Sequence, residues 1–86
     1  MKLSPVQKNK ILDLASIYGE ATRTSHEQMS IRATGRDYFF DRVVLNAYFT
    51  EGEPERFIKW MSDHWPRGVI WPSHVARPVS PVVEAA

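Results

Sequence analysis

Side chains that could contact DNA are concentrated in one stretch of the chain, between residues 23 and 36. Arginine binds guanine through two hydrogen bonds or neutralises a phosphate, while Ser, His and Gln hydrogen-bond base edges and isoleucine contacts a thymine methyl group. We therefore predict that bases are contacted by Ser25, His26, Gln28, Ser30 and Ile31. Phosphates are expected to be held by Arg23, Arg32 and Arg36.

A short helix over residues 25–34 is predicted to carry most of these side chains. Ser25 is a good N-cap, and Gln28 completes a Ser-x-x-Gln capping box. Met29 is expected to point inward, and Gly35 is placed to end the helix, as glycine commonly does just past a C-terminus. In this register the outward face carries His26, Glu27, Ser30, Ile31 and Thr34.

A longer helix is predicted to precede it. Ser4 and Gln7 form a first capping box at its start. Apolar residues at spacings of three and four then form one stripe, which consists of Ile11, Leu14, Ala15 and Tyr18. Two helices that cross closely need a small residue at the crossing, and the sequence offers Gly19 or Ala21. With a turn at residues 22–24, this is the layout of a helix-turn-helix, whose second helix can enter the DNA major groove.

Five segments of the chain form a recognisable pattern. They are Leu14-Ala15-x-x-Tyr18, Thr22-x-x-Ser25, Met29-Ser30-x-Arg32-Ala33-Thr34-Gly35, Phe39-Phe40-x-Arg42 and Trp60-Met61-Ser62-Asp63-His64-Trp65-Pro66. Together they resemble small uncharacterised bacterial proteins that are often found with prophages or conjugative elements and are suspected of carrying a helix-turn-helix. The resemblance covers residues 11 to about 78, and its most distinctive segments are Arg32–Gly35 and Ser62–Pro66. It implies a regulator-like fold and supplies no catalytic residue. This chain has Arg23 where such proteins tend to have glycine, and its second helix is less basic than theirs.

The second half of the chain is predicted to complete an all-α bundle of about four helices. A third helix is expected from Asp37, as its N-cap, to Tyr48, with a core role for Phe39, Phe40 and Phe49. Its inward face is predicted to consist of Phe40, Val43, Val44 and Ala47. The last helix should begin at Pro54 and stop at Trp65-Pro66, with Phe57, Ile58, Met61 and Trp65 on one face.

An extended, proline-rich tail is expected after this helical domain, which we place at residues 1–66, with the tail at residues 67–86. Its apolar segment Val69-Ile70-Trp71 is predicted to fold back over the helices, and docking of this segment on a partner is the alternative. The end of the tail, residues 79–86, is predicted to be disordered.

Composition limits the functions that these elements could serve. The 86 residues carry a net charge of +1 and no cysteine, which excludes disulfides and thiolate metal sites. Residues 1–42 hold seven Lys or Arg against five acids, and residues 43–86 hold four against five, so a polyanion site is expected in the first half. The apolar runs are far shorter than the roughly 18 residues that span a bilayer, and no signal peptide is apparent. We expect a cytoplasmic protein with no membrane association.

Catalysis is not expected from this sequence. His26, His64 and His74 show no metal-binding spacing, and the sequence contains no nucleotide-binding glycine motif. Asp63 and His64 are neighbours on a helix, so they point about 100 degrees apart and do not form a base with its orienting carboxylate. We predict no cofactor and no metal ion.

Two functions agree with these features. The first is a small transcriptional regulator of a mobile element that binds double-stranded DNA, as a homodimer. The second is a protein-binding module, an antiactivator or adaptor, because Glu27 on the second helix would repel phosphate unless it accepted from a cytosine amino group. DNA binding predicts that Lys8, Lys10, Arg23, Arg32 and Arg36 converge on one face. Protein binding predicts an exposed apolar patch near Tyr38, Tyr48 or Trp71.

Overall fold

The first helix, α1, spans Pro5–Thr22 in a computed structural model, which describes residues 2–78. Ser4 Oγ accepts the backbone N–H of Gln7, and the Gln7 side chain accepts the backbone N–H of Ser4. The predicted capping box is therefore confirmed. The predicted apolar stripe is confirmed as well, because all of its members are buried: Ile11, Leu14, Ala15 and Tyr18.

Three shorter helices follow α1. They are α2 at His26–Thr34, α3 at Phe39–Val44 and α4 at Glu53–Asp63. The second helix packs against each of the other three, and α1 packs against α4 as well. Residues 2–78 thus form an all-α fold of four helices with no strand, as the sequence predicts. None of these helices combines the length and the hydrophobicity needed to cross a membrane.

Aromatic rings from α3, the following loop and α4 form the centre of the core. The Phe39 ring stacks on Phe57 with 4.6 Å between centroids and meets Phe49 edge-on at 5.5 Å. Phe40 meets both Phe39 and Phe57 edge-on at 5.4 Å. Such pairs add about 0.5–1.5 kcal/mol each beyond the area they bury. All of these rings are buried, which confirms the core role predicted for Phe39, Phe40 and Phe49.

The third helix is shorter than predicted because the chain turns at Asn46. This residue has the left-handed φ of 56°, which asparagine tolerates better than most residues. Its N–H donates to Val43 O and the N–H of Ala47 donates to Arg42 O, so the last carbonyls of the helix are satisfied by a Schellman arrangement. The helix therefore ends well before Tyr48.

The shorter helix changes which residues are buried. Asp37 is not the N-cap, since Tyr38 occupies that position without a side-chain capping bond. The inward face is filled by Phe39, Phe40 and Val43. Val44 lies about 100 degrees from Val43 on the helix and is 57% exposed, so its predicted place in the core is wrong.

The last helix begins close to the predicted Pro54, but it ends at Asp63, earlier than predicted, so Trp65 lies beyond the helix. Pro54 lies in the first turn, after Gly52 at the N-cap. Phe57 and Met61 are fully buried, and the rest of the predicted face, Ile58 and Trp65, is half-buried against the core.

Residues 67–78 return along α1 and α4. Arg77 donates to Ser62 twice, from Nε to Oγ at 3.0 Å and from Nη2 to the backbone carbonyl at 2.9 Å. His74 Nε2 lies 2.9 Å from a carboxylate oxygen of Asp13 on α1. These contacts tie the described part of the tail to two helices.

The apolar segment of the tail folds back only in part. Trp71 is half-buried and meets Trp65 edge-on, with 4.9 Å between ring centroids. Ile70 is 87% exposed, so its predicted cover by the helices is wrong. The disorder predicted for residues 79–86 lies outside the described residues.

Candidate nucleic-acid interface

The first two helices approach closely at Gly19. A Cβ atom placed on this residue would lie 2.9 Å from Thr24 O and 3.0 Å from Met29 Cε, closer than packed atoms normally come. Of the two small residues that the sequence offers, Gly19 is therefore the one that this contact requires. Met29 is fully buried at the crossing, as predicted.

The turn between α1 and α2 consists of residues 23–25. Arg23 has a left-handed conformation, with φ 56° and ψ 41°, and its N–H donates to Gly19 O. The N–H of Thr24 donates to the same carbonyl at 3.1 Å, which closes the end of α1. Thr22 Oγ1 donates to Tyr18 O at 2.8 Å and lies 2.7 Å from Thr24 Oγ1. Arg23 thus occupies a conformation that glycine usually supplies, and its side chain is exposed.

The second helix has a defined start and end. Ser25 Oγ accepts the backbone N–H of Gln28 at 3.2 Å, which confirms Ser25 as the N-cap. The reciprocal bond of a capping box is not present here, so only half of the predicted box forms. Gly35 ends the helix with φ 80°, as predicted, and its N–H donates to Ile31 O.

Three of the predicted base-reading or phosphate-binding residues form an exposed row on α2. Gln28, Ile31 and Arg32 are exposed and spaced by three and four positions, which places them on the same side of the helix. Ile31 is 47% exposed, so its apolar side chain is available for contact. Glu27 is exposed beside them, so the row carries one acid next to its one arginine. The row and Glu27 together carry no net charge, and Arg36, just beyond the helix, adds one positive charge.

Ser30 does not belong to this surface. The prediction that it faces outward and reads bases is wrong, because it is fully buried. Its hydroxyl donates to the backbone carbonyl of Arg36 and accepts the backbone N–H of Phe39 at 3.0 Å. Ser30 therefore joins the end of α2 to the start of α3, and no signal in the sequence distinguishes this role from a surface serine.

His26 is exposed, as predicted, but it does not lie in the row. Its ring stacks on Phe40 with 4.6 Å between centroids, on another side of α2 from Gln28, Ile31 and Arg32. Ser25 is exposed, but its hydroxyl oxygen is occupied by the capping bond. Of the residues predicted to read bases, Gln28 and Ile31 therefore lie together in the row, beside Arg32, which is predicted to hold a phosphate.

Arg36 lies just beyond α2 and is exposed. Its Nη1 donates to the hydroxyl of Tyr38 at 2.7 Å. It lines a groove of about 570 Å³ that also contains Arg42 and Arg56. Sequence reasoning did not find this groove, because its arginines come from three separate parts of the chain.

A salt bridge forms one wall of the groove. Arg42 Nη1 and Nη2 donate to the two carboxylate oxygens of Glu53, at 2.8 and 3.1 Å. Burial alone would raise the pKa of Glu53, but the hydrogen bond from Arg42, the backbone N–H of Thr50 and the charges of Arg42 and Arg56 together lower it below 4.5. The carboxylate is therefore held ionised.

The lysines of α1 lie apart from one another. Lys8 Nζ donates to Val44 O at 3.3 Å, near the end of α3. Lys10 lines a separate groove with Glu55 and Val75. Since these two lysines contact different elements, the full convergence of basic residues that DNA binding predicts is not observed.

An apolar patch is exposed at the end of α3. It consists of Val44, Leu45 and Tyr48, which are 57%, 76% and 70% exposed. Lys2 Nζ lies 5.2 Å from the centre of the Tyr48 ring, and Lys8 reaches Val44 O, so two cations border this α3 patch. Tyr48 is one of the places where protein binding predicts such a surface.

The arrangement as a whole offers hydrogen-bond donors and an exposed helix rather than a reactive centre. No group of three His, Asp or Glu side chains within residues 2–78 is placed to hold a metal ion. Comparisons with protein families, curated proteins and solved structures find no match to this chain.

Proposed function

We propose that this protein binds double-stranded DNA through α2 as a small cytoplasmic transcriptional regulator of a mobile element. The observation that carries the proposal is the joint between the first two helices. A three-residue turn and the close contact at Gly19 fix α2 against α1, while its outer row stays exposed. That is what a helix needs in order to enter a major groove from a rigid support.

The row has side chains suited to base edges. Gln28 can bind adenine through two hydrogen bonds, Arg32 can bind guanine in the same way, and Ile31 can contact a thymine methyl group. Arg23 in the turn and Arg36 beyond the helix flank this row along the chain, where phosphates on either side of the groove would lie.

Because the protein has so little positive charge, we expect it to bind only weakly to DNA that lacks the recognised sequence. The chain carries only +1, and Glu27 offsets one arginine of the row. A homodimer that places two copies of α2 on adjacent half-sites would supply the affinity that one copy lacks. Non-specific binding is almost entirely electrostatic and weakens steeply as salt is added, so we expect specific binding to exceed it most clearly at moderate rather than low salt.

Selection from a random duplex pool, followed by titration of the selected duplex, tests the proposal. Arg32→Ala should weaken binding by about tenfold or more, since one bidentate base contact discriminates by about 1–3 kcal/mol. Gln28→Ala should relax the preference at a single base position.

Arg67→Ala is the matched control, because Arg67 is exposed beyond α4 and outside the row. Its affinity should equal that of the parent. No enrichment of any sequence, or equal affinities for the Arg32→Ala and Arg67→Ala variants, would rule out reading of DNA by α2.

A second candidate, protein binding, is favoured by the α3 patch. Three apolar side chains that are each more than half exposed lie within five residues, bordered by Lys2 and Lys8. A partner that covers them would have an apolar centre and an acidic rim. An antiactivator or adaptor would use this surface and leave α2 without a nucleic-acid role.

Leu45→Lys and Ile70→Lys form a matched pair for this candidate, since both replace an exposed aliphatic side chain with a cation. The parent and both variants would be compared for self-association by sedimentation and for capture of a partner from the native host. Loss of either association in Leu45→Lys alone supports the α3 patch. Equal behaviour of the two variants contradicts it.

A further inference from the structure

The groove beside α2 combines three arginines with a phenol hydroxyl. Arg36 comes from the segment after α2, Arg42 from α3 and Arg56 from α4, and Tyr38 and Glu53 also line the groove. Its volume of about 570 Å³ lies within the range of about 300–1,000 Å³ that is usual for small-molecule sites. Like charges are brought together here by the fold, although they are distant in sequence.

Arg42 is engaged by the protein itself through both of its terminal nitrogens. Besides its two bonds to Glu53, Nη2 donates to Tyr48 O at 2.7 Å, and the guanidinium lies 4.4 Å from the centre of the Phe49 ring. The Glu53 carboxylate is also hydrogen-bonded within the protein, because Oε1 accepts the backbone N–H of Thr50 at 3.1 Å as well. This pair therefore neutralises itself and stiffens the wall of the groove.

Arg36 and Arg56 remain as unneutralised cations. Both are exposed, and the only side-chain hydrogen bond of Arg36 within residues 2–78 is its donation to Tyr38. Arg56 makes no side-chain hydrogen bond in that part of the chain, although its charge acts on Glu53. Each guanidinium has five N–H donors, so most of their hydrogen-bonding capacity is directed to solvent. The Tyr38 hydroxyl accepts from Arg36 and keeps its own proton to donate.

We propose that this groove binds a phosphate group, held by Arg36 and Arg56 with a further hydrogen bond from Tyr38. Two guanidinium groups provide paired donors with the geometry that phosphate oxygens accept. The groove is larger than a phosphate, so it leaves room for the organic part of a phosphate ester. The phosphate is supplied either by a nucleotide or by the backbone of DNA. The proposal stands apart from base reading by α2, because neither Arg56 nor Tyr38 belongs to the exposed row.

Titration of the full chain with uridine 5′-monophosphate, uridine and a short DNA duplex, followed by calorimetry and amide NMR, tests this site. The expected result is binding of the monophosphate or of the duplex, with shifts centred on Tyr38 and Arg56, and no binding of uridine. Binding of the monophosphate identifies a nucleotide as the source, whereas binding of the duplex alone identifies the DNA backbone.

Arg36→Gln and Arg56→Gln should each weaken that binding by about tenfold or more, because each substitution removes a charge-assisted hydrogen bond to the phosphate. Arg67→Gln, with an exposed arginine outside the groove, should leave it unchanged. Arg36 and Arg56 are both exposed, so these variants are expected to fold. Unchanged amide NMR signals away from the groove would verify this.

Absence of binding by both phosphate ligands would overturn the proposal, as would equal binding by the groove variants and the Arg67→Gln control. A negative result for the phosphate groove would not also exclude base reading by α2. A selected duplex that still depends on Arg32, but not on Arg56, would retain the function of α2 and eliminate the phosphate groove.

Discussion

Two regions of this protein reach their structures by different means. The first, residues 5–34, contains α1, the turn and α2, and it is specified by backbone chemistry: a proline start, serine caps, a glycine at the crossing and a glycine at the end. The second, residues 38–57, is specified by ring packing, with Phe39 and Phe57 at its centre. The N-terminus of its short helix α3 lacks a side-chain cap.

This difference separates the parts of the molecule that are available for binding. Because α2 is capped at both ends and packs through its inner side, where Met29 is fully buried, its outer row need not be buried and Ile31 remains exposed. In the second region the rings that hold α3 use its inner side, and its end projects Leu45 and Tyr48 into solvent. Each region therefore presents a surface that its own mode of stabilisation leaves free.

Phe39→Ala should have the largest effect on stability. Phe39 is 1% exposed and contacts three other phenylalanine rings, so its truncation leaves a cavity that the core cannot fill. We expect a loss of about 3–5 kcal/mol in the free energy of unfolding, measured by urea denaturation. A small domain has only about 5–15 kcal/mol of stability, so such a loss is a large share of it, and we expect both regions to unfold together at a lower urea concentration.

Tyr48→Ala is the control for Phe39→Ala, since it removes an aromatic ring that is 70% exposed. Its free energy of unfolding should stay close to that of the parent. Retention of helical signal from residues 5–34 in the unfolded Phe39→Ala protein would show that the first region is stable without the second.

Ser30→Ala tests the joint between the two regions. The substitution removes the acceptor of the buried Phe39 N–H and the donor to Arg36 O. A buried backbone donor left without a partner costs about 1–3 kcal/mol, and we expect a loss of about 2 kcal/mol in the same denaturation experiment. The exposed Ser16→Ala on α1 should change stability very little. Equal values for the two variants would contradict the role assigned to Ser30.

The features predicted from the sequence are those with a local cause. The cap at Ser4, the stripe of α1, the inward Met29 and the stop at Gly35 depend on residues within a few positions of each other, and all agree with the structure. Four helices and a core of phenylalanines follow from the same patterns.

The features that sequence reasoning missed depend on contacts between distant segments. Serine is usually found at the surface, and Ser30 is buried because its hydroxyl accepts the backbone N–H of Phe39. Val44 has the type of a core residue, and only the turn at Asn46 leaves it exposed. The groove beside α2 is lined by arginines from three separate places in the chain, which no short motif records.

Arg23→Gly should stabilise the protein, whereas most substitutions destabilise it. Arg23 has a left-handed φ of 56°, a conformation that costs an ordinary residue about 1–2 kcal/mol, and glycine avoids this cost at the expense of greater freedom when unfolded. We expect a net gain of about 0.5–1 kcal/mol in the free energy of unfolding. Glu20→Gly, in the regular part of α1, should instead lose about 1 kcal/mol. A loss of stability in both variants would show that the Arg23 side chain, rather than its backbone, supports the turn.

The smallest expected effect concerns the Arg42–Glu53 salt bridge, which gives the second region a polar contribution to stability. The pKa of Glu53 is lower in the folded protein than its ordinary value of 4.5, so the folded state binds this proton less readily than the unfolded state does. The contribution is therefore fully present above about pH 5 and is lost as the pH falls through the lowered pKa. Glu53→Gln removes the charge and should flatten this part of the pH profile, measured by urea denaturation between about pH 7 and pH 3. Glu55→Gln is the matched control, because it removes an exposed carboxylate from the same helical turn. Parallel profiles for the parent and Glu53→Gln would mean that ring packing alone stabilises the second region, and that Arg42 is free to join Arg36 and Arg56 as a third ligand-binding cation.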